Sequence, residues 1–174
     1  MNVMSRPEAQ HVRGKPAVPV ETRLAIIDLY NAYAEALDER RYQDWAACFT
    51  EKAVYRLTTK ENHDRNLPIA IIYCDGKGMI EDRAFTTVET TIAQPRTLRH
   101  FITGISVREK TESAYEVRAN FLIVQTMLDR MTEIVMSGYY VDRVVESAEQ
   151  GFLFEQKIAV SDTLLYPTSV VAPV

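Results

Sequence analysis

His100 is the side chain in this sequence best suited to acid–base chemistry, and it stands in the polar run PRTLRHF, residues 95–101. Imidazole titrates close to neutral pH, so an inward-facing histidine can act as a general base when a carboxylate tunes its pKa. Asp38 and Asp82 are the candidate carboxylates. The alternative is a core histidine that bonds a backbone carbonyl, and the residues alone leave both interpretations open.

Two arginines, Arg96 and Arg99, precede this histidine. Side chains alternate along an extended strand, which places Arg99 and Phe101 on one face and Leu98 and His100 on the other. Guanidinium groups bind carboxylates through paired hydrogen bonds, so outward-facing arginines are also typical of contact with another chain. The run therefore predicts either a site inside the protein or an interface on its surface.

A second polar run, MIEDRAF at residues 79–85, holds Glu81, Asp82 and Arg83 in succession. Adjacent helical residues point in different directions, so these three cannot form one local site. Asp82 or Arg83 could turn inward and bond a sheet, whereas a solvated face is the plainer interpretation. Two tyrosine pairs could line a pocket, although such spacing is more typical of a core: Tyr30 with Tyr33, and Tyr139 with Tyr140.

Metal and nucleotide sites are not indicated. Cys48 and Cys74 stand 26 positions apart (74 − 48), and neither belongs to a closely spaced Cys/His pair that a zinc or Rieske centre needs. A facial triad for iron would need His63 beside His100, and no helical or strand spacing brings them together. The glycines of DGKGM lack a phosphate-loop signature. We expect both cysteines to be buried apolar residues.

Length and charge narrow the class of protein. A chain of 174 residues corresponds to about one domain. Its net charge of −4 gives no broad basic face, so we expect no nucleic-acid partner. No apolar run approaches the ~20 residues of a membrane span, and the first residues lack a signal-peptide core. We therefore expect a soluble, cytoplasmic protein without a membrane partner.

The first half of the chain predicts helices and short strands. Residues 1–19 read as a flexible tail, and residues 20–174 as a single domain. Apolar spacing predicts an amphipathic helix over 20–41 and a short helix over 42–49 with Trp45, Cys48 and Phe49 on one side. The first helix should bury one stripe: Leu24, Ile27, Tyr30, Ala34 and Leu37.

In the middle of the chain, the spacing of apolar residues changes from a helical to a strand pattern. Residues 53–59 predict a strand, 60–68 a loop, and 69–74 a nearly all-apolar buried strand. A third helix should follow, with Asp75 as its N-cap and Pro95 beyond its end. Its apolar positions fit helical spacing only loosely: Met79, Ile80, Arg83, Val88 and Ile92.

Four long strands should complete the fold, over 96–109, 115–128, 132–145 and 152–165. In the second of them, odd-numbered residues from Tyr115 to Ile123 share the apolar face. In the last, we expect four apolar residues to lie opposite Glu155 and Lys157: Phe152, Phe154, Ile158 and Val160. Helices followed by an antiparallel meander predict an α+β cone, in which a curved sheet wraps around the opening helices.

Residues from about 20 to 174 resemble the small (beta) subunit of Rieske-type aromatic-ring-hydroxylating dioxygenases. The matching stretches include ALDERRYQDWAACFTEKAVYR, MIEDRA, SGYYVDRVV and EQKIAVSDTLL. The most specific local mark is Pro-Arg-x-x-Arg-His-Phe following a helix that contains Asp-Arg. The stretch VYRLTTKENHDRNLPIAI is most similar to small subunits of salicylate 5-hydroxylase and terephthalate dioxygenase, which act on aromatic carboxylates.

This resemblance implies a cystatin-like cone of the nuclear-transport-factor-2 type, in a hexamer of three large and three small chains with the small chains as a trimer. It implies that the large (alpha) subunit holds the Rieske [2Fe-2S] cluster and the mononuclear Fe(II), with electrons from NAD(P)H. This chain would then hold no cofactor and no catalytic residue, and Arg83, Arg96 and Arg99 would contact neighbouring chains.

An alternative is implied by the same cone fold, which also houses stand-alone isomerases, dehydratases and cyclases. Their pocket lies at the open end of the cone. In this chain Tyr30, Asp38, Tyr55 and His100 could point there, with His100 and a carboxylate as the acid–base pair.

Overall fold

The computed structural model describes residues 18–89, 95–109, 114–166 and 169–174. The described residues form four helices and six strands, and all but one short helix follow the predicted order. The helices are α1 (Val20–Asp38), α2 (Tyr42–Ala47), α3 (Lys60–Asp64) and α4 (Lys77–Glu89). The strands are β1 (Phe49–Thr59), β2 (Ile72–Asp75), β3 (Arg96–Glu109), β4 (Ala114–Met127), β5 (Glu133–Ser147) and β6 (Gly151–Ser161). Most of the predicted tail, residues 1–17, lies outside the described residues.

All six strands form one curved sheet in the order β2-β1-β6-β5-β4-β3. Every neighbouring pair is antiparallel except β1 and β6, which run parallel. The four long strands β3 to β6 follow each other as the predicted meander, and α1 packs against the sheet's inner face. The prediction of an α+β cone of the nuclear-transport-factor-2 type is confirmed.

The buried stripe of α1 differs from the predicted one. Leu24 is 55% exposed, while Tyr30 and Leu37 are buried as expected. The stripe that faces the sheet follows the same spacing but is rotated around the helix, because it brings the large Tyr33 ring inward instead of the small Ala34. It consists of Ile26, Leu29, Tyr30, Tyr33, Ala36 and Leu37.

Aromatic rings fill the centre of the cone. Tyr33 meets Phe49 and Phe154 in edge-on contacts, and Trp45 meets Phe49 and Tyr55 in the same way. Such edge-to-face pairs stabilise a core beyond their buried area. Trp45, Cys48 and Phe49 are all buried, but the predicted short helix ends at Ala47 and Phe49 begins β1. Both cysteines are buried and unpaired.

The structure corrects several predictions for the middle of the chain. The predicted loop begins with the short helix α3, whose N-cap Thr59 accepts from the backbone N–H of Asn62. Strand β2 is half-buried rather than fully buried, because it lies at the edge of the sheet and one face meets solvent.

Helix α4 begins after Gly76, whose positive φ of 88° makes the turn. The predicted N-cap Asp75 lies in β2 instead. Met79 and Val88 are exposed, while the helix buries Ile80, Ala84 and Thr87. Ile92 lies outside the described residues.

Candidate functional site

His100 and Asp38 meet where the end of α1 crosses the start of β3. The Nδ1 atom of His100 lies 2.7 Å from Oδ1 of Asp38, and the His100 backbone N–H donates to the same oxygen over 3.0 Å. The guanidinium of Arg99 lies 3.7 Å from the other carboxylate oxygen. Of the two carboxylates expected near this histidine, Asp38 is the one in contact, and Asp82 is exposed on α4.

The Asp38 contact orients the imidazole of His100. A carboxylate oxygen accepts, so Nδ1 carries the proton that is shared with Asp38. The Nε2 atom of the ring is buried, and it has no hydrogen-bond partner within the described residues. The side chain is only 1% exposed, so solvent does not satisfy it either.

A cavity of about 60 Å³ lies against the His100 ring. One wall is the inner face of the sheet, with Leu98, Ile123 and Met136 among its side chains, and Arg96 and Gln125 stand at its polar side. The opposite wall is the extended segment 169–174, which we call the mouth segment.

The mouth segment is anchored by tyrosines of the core. The Val174 N–H donates to the hydroxyl of Tyr55 over 2.8 Å. The main-chain oxygen of Val174 accepts from the hydroxyls of both Tyr33 and Tyr55. These bonds hold Val174 inside the open end of the cone, where it is buried. The open end of the cone is therefore covered by the chain itself.

A second polar group lies deeper in the cone and was missed by the sequence analysis. The Nζ of Lys157 lies 2.9 Å from Oδ2 of Asp142, and both side chains are fully buried. Tyr30 donates to the same oxygen, and the backbone N–H of Ile158 donates to Oδ1 over 3.1 Å. Both oxygens of this carboxylate therefore have donors.

Aromatic rings enclose the ammonium group of Lys157. Its Nζ lies 3.5 Å from the ring centroid of Tyr140, and the Tyr30, Tyr33 and Phe154 rings are within 4.5 Å. A ring face attracts a cation, and this attraction grows when water is excluded. Burial lowers the pKa of Lys157 and raises the pKa of Asp142, while their mutual attraction opposes both shifts. The group is an internal ion pair whose carboxylate has donors on both oxygens.

The prediction that Lys157 lies opposite the apolar face of β6 is wrong. The pairing of β5 with β6 shifts between Arg143 and Val144, so that Phe154 pairs with Val144 and Gln156 pairs with Arg143. One extra residue in β6 at this irregularity reverses the alternation, which turns Lys157 inward after Phe154. A signal was present on β5, where strict alternation places Asp142 on the same face as the buried Tyr140 and Val144.

The three predicted interface arginines do not lie together in one exposed patch. Arg99 is exposed beside Asp38, whereas Arg83 and Arg96 are half-buried. Arg96 donates to Gln125 over 3.1 Å. The proximity of Arg83 partly offsets the rise that burial causes in the pKa of Cys74. Contact of these arginines with another chain stays a prediction.

Tyr30 and Tyr55, the other residues of the alternative acid–base site, bond to groups other than His100. Tyr30 serves the internal ion pair, and Tyr55 anchors the mouth segment. His63 lies on α3 against the Tyr139 ring. Across the described ranges no group of three or more His, Cys, Asp or Glu side chains could hold a metal ion, so these residues do not fit an iron centre.

Large apolar side chains are exposed at the end of the sheet where β5 begins and β6 ends. Leu128 is 97% exposed and Leu165 is 91% exposed. We call this surface the sheet-end patch, and it consists of Leu128, Met131, Ile134, Leu164 and Leu165. Exposed apolar groups of this size are typical of contact with another protein. None of the described helices is long and apolar enough to cross a membrane.

Comparison with known proteins gives consistent matches. The family model described as ring hydroxylating beta subunit matches residues 32–166. The small subunit of anthranilate 1,2-dioxygenase from Burkholderia cepacia is 28% identical, over 89% of this chain and 96% of that relative. Subunit beta 2 of the terminal oxygenase component of terephthalate 1,2-dioxygenase from a Comamonas species is 26% identical, over 82% and 92%.

A solved structure matches as well. A chain from Novosphingobium aromaticivorans, assigned as the beta subunit of an aromatic-ring-hydroxylating dioxygenase, superposes with a TM-score of 0.80. Its sequence is 29% identical, and the match covers 88% of this chain and 97% of that one.

Proposed function

Because this chain belongs to the family of ring-hydroxylating beta subunits, which are parts of oxidoreductases, we propose that it is the small subunit of an oxygenase acting on an aromatic carboxylate. The observation that carries the proposal is the family match over residues 32–166. One relative belongs to an anthranilate dioxygenase and another to a terephthalate dioxygenase. Both substrates are aromatic acids, which supports the proposed substrate class. The resemblance seen in the sequence is confirmed at the level of the family.

The redox chemistry belongs to a partner chain under this proposal. The large subunit holds the Rieske cluster and the mononuclear iron, and three large chains assemble with a trimer of small chains in the cytoplasm. The donor set supports this division, because the described part of this chain groups no three metal-ligating side chains. Residues 20–174 act as one structural domain, with residues 1–19 as its tail.

The sheet-end patch is the main assembly surface in this proposal. Five large apolar residues near one end of the sheet would gain free energy by leaving water, at roughly 25 cal/mol per Å² buried. The exposed Arg99 adds a charge beside Asp38, in the row of the sheet that continues through Val124 to Ile134. Arg83 and Arg96 would contact neighbouring chains from their half-buried positions.

Copurification tests the proposal directly. We expect the tagged full chain, expressed in its native host, to bring down an iron–sulfur oxygenase subunit in equal amount. The purified complex should then oxidise aromatic carboxylates such as anthranilate or terephthalate with NAD(P)H and a reductase. Recovery of the tagged chain alone would contradict the proposal.

A pair of matched variants locates the assembly surface. Leu165→Glu places a charge in the sheet-end patch, and we expect it to abolish recovery of the large subunit. Leu24→Glu makes the same change at an exposed site on α1, away from the patch, and should leave recovery unchanged. Equal recovery with both variants would remove the sheet-end patch from the interface.

A further inference from the structure

The outer face of the sheet carries a groove at the end opposite the sheet-end patch. The groove has a volume of about 270 Å³ and lies where β4 begins and β5 ends. Arg118 stands between the buried Val117 and Ala119 on β4, so its side chain points away from the core. Three neighbouring strands each contribute one arginine to this surface, which we call the arginine groove: Arg108, Arg118 and Arg143.

The arginine groove holds more positive than negative charge. Neither Arg108 nor Arg118 forms an ion pair with a residue that the structure describes. Arg143 lies 2.7 Å from Glu155, and Glu116 also lines the groove. Among the described residues, three guanidinium groups therefore stand against two carboxylates, on a chain whose net charge is −4. A surface of this sign attracts carboxylates from outside the chain.

Helix α4 presents the opposite charge beside an aromatic ring. Asp82, Phe85 and Glu89 recur at steps of three and four residues, so they form one stripe along the helix, which we call the α4 stripe. All three are exposed, and Phe85 exposes 56% of its surface. Neither carboxylate has an ion-pair partner among the described residues. An exposed ring between two unpaired acids is typical of contact with a basic surface of another protein.

The charges on the two surfaces have matching separations. Asp82 and Glu89 are seven positions apart (89 − 82), which is ~10 Å along a helix that rises 1.5 Å per residue. Arg108 pairs with Glu116 across the sheet, and Glu116 pairs with Arg143 on the next strand. Two steps of ~4.8 Å between strands place the two arginine backbones ~10 Å apart as well. A helix laid across the strands therefore brings one carboxylate near each of these arginines.

The two surfaces cannot meet within one chain. Helix α4 packs on α2, β1 and β2, at one edge of the sheet. The arginine groove lies on β3, β4 and β5, toward the other edge and on the outer face. The α4 stripe therefore reaches an arginine groove only on a second molecule. Because the two surfaces differ, each molecule in such a contact keeps one of them free for a further copy.

We propose that the α4 stripe of one molecule docks in the arginine groove of a second copy of this chain. The two acids of the stripe pair with the outer arginines of the groove, and Phe85 lies between them against Arg118. A guanidinium group attracts the face of an aromatic ring. The contact is head-to-tail, so it closes into a ring of copies or extends into a filament. It deepens the proposed function, on which it rests only for the number of copies in the ring.

Sedimentation velocity of the full chain, at rising protein concentration, tests the contact. We expect the wild-type chain to self-associate and the association to weaken as salt is added, because exposed charge pairs are screened. Arg108→Glu and Asp82→Lys should each weaken self-association at least tenfold, since each replaces an attraction with a repulsion. Arg23→Glu and Asp28→Lys make the same changes at exposed positions on α1 and should leave it unchanged.

Mixing the two contact variants tests whether the paired surfaces belong to different molecules. Arg108→Glu has a reversed groove and Asp82→Lys has a reversed stripe, so each surface finds a complementary one only on the other variant. The mixture should therefore associate where each variant alone does not. Recovery on mixing is a result that a general loss of folding does not produce.

A wild-type chain that stays monomeric at every concentration would overturn the proposal, and so would undiminished association of Arg108→Glu. Failure of the mixture to associate would overturn it as well. Leu165→Glu, in the sheet-end patch, should lose the large subunit and keep self-association. Failure of this inference therefore differs from failure of the proposed function, which is measured by recovery of the large subunit.

Discussion

Two carboxylates in this protein are paired with a basic side chain away from solvent, and the two pairs are built differently. Inside the cone, Asp142 has donors on both oxygens, and the ammonium of Lys157 is enclosed by rings. At the mouth, Asp38 holds one nitrogen of His100 and the other has no partner among the described residues. The interior carboxylate is bonded on both oxygens, whereas the mouth pair leaves one ring nitrogen without a partner in the described part of the chain.

The comparison shows how burial alone fails to identify a functional group. Lys157 and His100 are both almost fully removed from water. For Lys157, the Asp142 carboxylate and four aromatic rings contact the ammonium, so its role is to fix the arrangement of the core. For His100, only Nδ1 has a side-chain partner among the described residues, so the same degree of burial leaves Nε2 without a hydrogen bond.

The largest effect should come from Lys157→Met, which leaves the Asp142 carboxylate buried without a counter-ion. We expect the free energy of unfolding to fall by about 3–5 kcal/mol, as measured by urea denaturation. The double variant Asp142→Leu with Lys157→Met should regain most of this loss, because it removes both charges. A single variant that unfolds like wild type would show that the pair is not needed in the core.

A smaller loss is expected from Tyr30→Phe, which deletes one donor to the Asp142 carboxylate. A hydrogen bond to a charged group contributes about 1.5–3 kcal/mol, and the unfolding free energy should fall within that range. Tyr73→Phe is the matched control, since Tyr73 lies half exposed on the edge strand β2. A loss of the same size in both variants would mean that the hydroxyl of Tyr30 has no special role.

At the mouth, Asp38→Asn should cost about 1 kcal/mol, because the amide oxygen can still accept from His100 while the charge is lost. An amide can also present its N–H₂ group, so the His100 proton should divide between Nδ1 and Nε2. Nitrogen-15 spectra of the ring measure this division. An unchanged tautomer would show that the backbone around His100, rather than the Asp38 charge, sets its state.

The effect that is smallest at neutral pH concerns the Cys48 thiol beside the interior pair. Burial raises the pKa of Cys48 from 9.0 to about 11. Between these values the folded chain keeps a proton that the unfolded chain has lost, so stability should decline as pH rises through this window. Cys48→Ala should flatten that part of a pH–stability curve. Curves that stay parallel from pH 8 to 11 would contradict the raised pKa.

The sequence predicted the positions of the strands better than the directions in which their side chains point. Alternation gave β3 its exact bounds and placed His100 inward, because both are local properties of one extended strand. The side of β6 on which Lys157 lies depends on one irregularity in its pairing with β5, which no single-strand pattern contains. The contact of Asp38 with His100 was anticipated only as one of two choices.

The parts that could not be predicted depend on distant segments. Nothing in the last residues indicates that Val174 packs between Tyr33 and Tyr55, because that contact joins the end of the chain to α1 and β1. The rotation of the buried stripe on α1 could not be inferred from the helix sequence either. A 3.6-residue period permits neighbouring stripes, and the choice is made by the sheet against which the helix packs.

The parallel pairing of β1 with β6 has a consequence for synthesis of the protein. The end of β1 precedes the start of β6 by 92 positions (151 − 59), so a growing chain exposes one edge of β1 until β6 has been made. Contacts this distant in sequence slow folding and leave intermediates prone to aggregate. Ribosomes that stall before residue 151 would release a sheet that cannot close, and chaperone demand should rise with every delay in translating the second half.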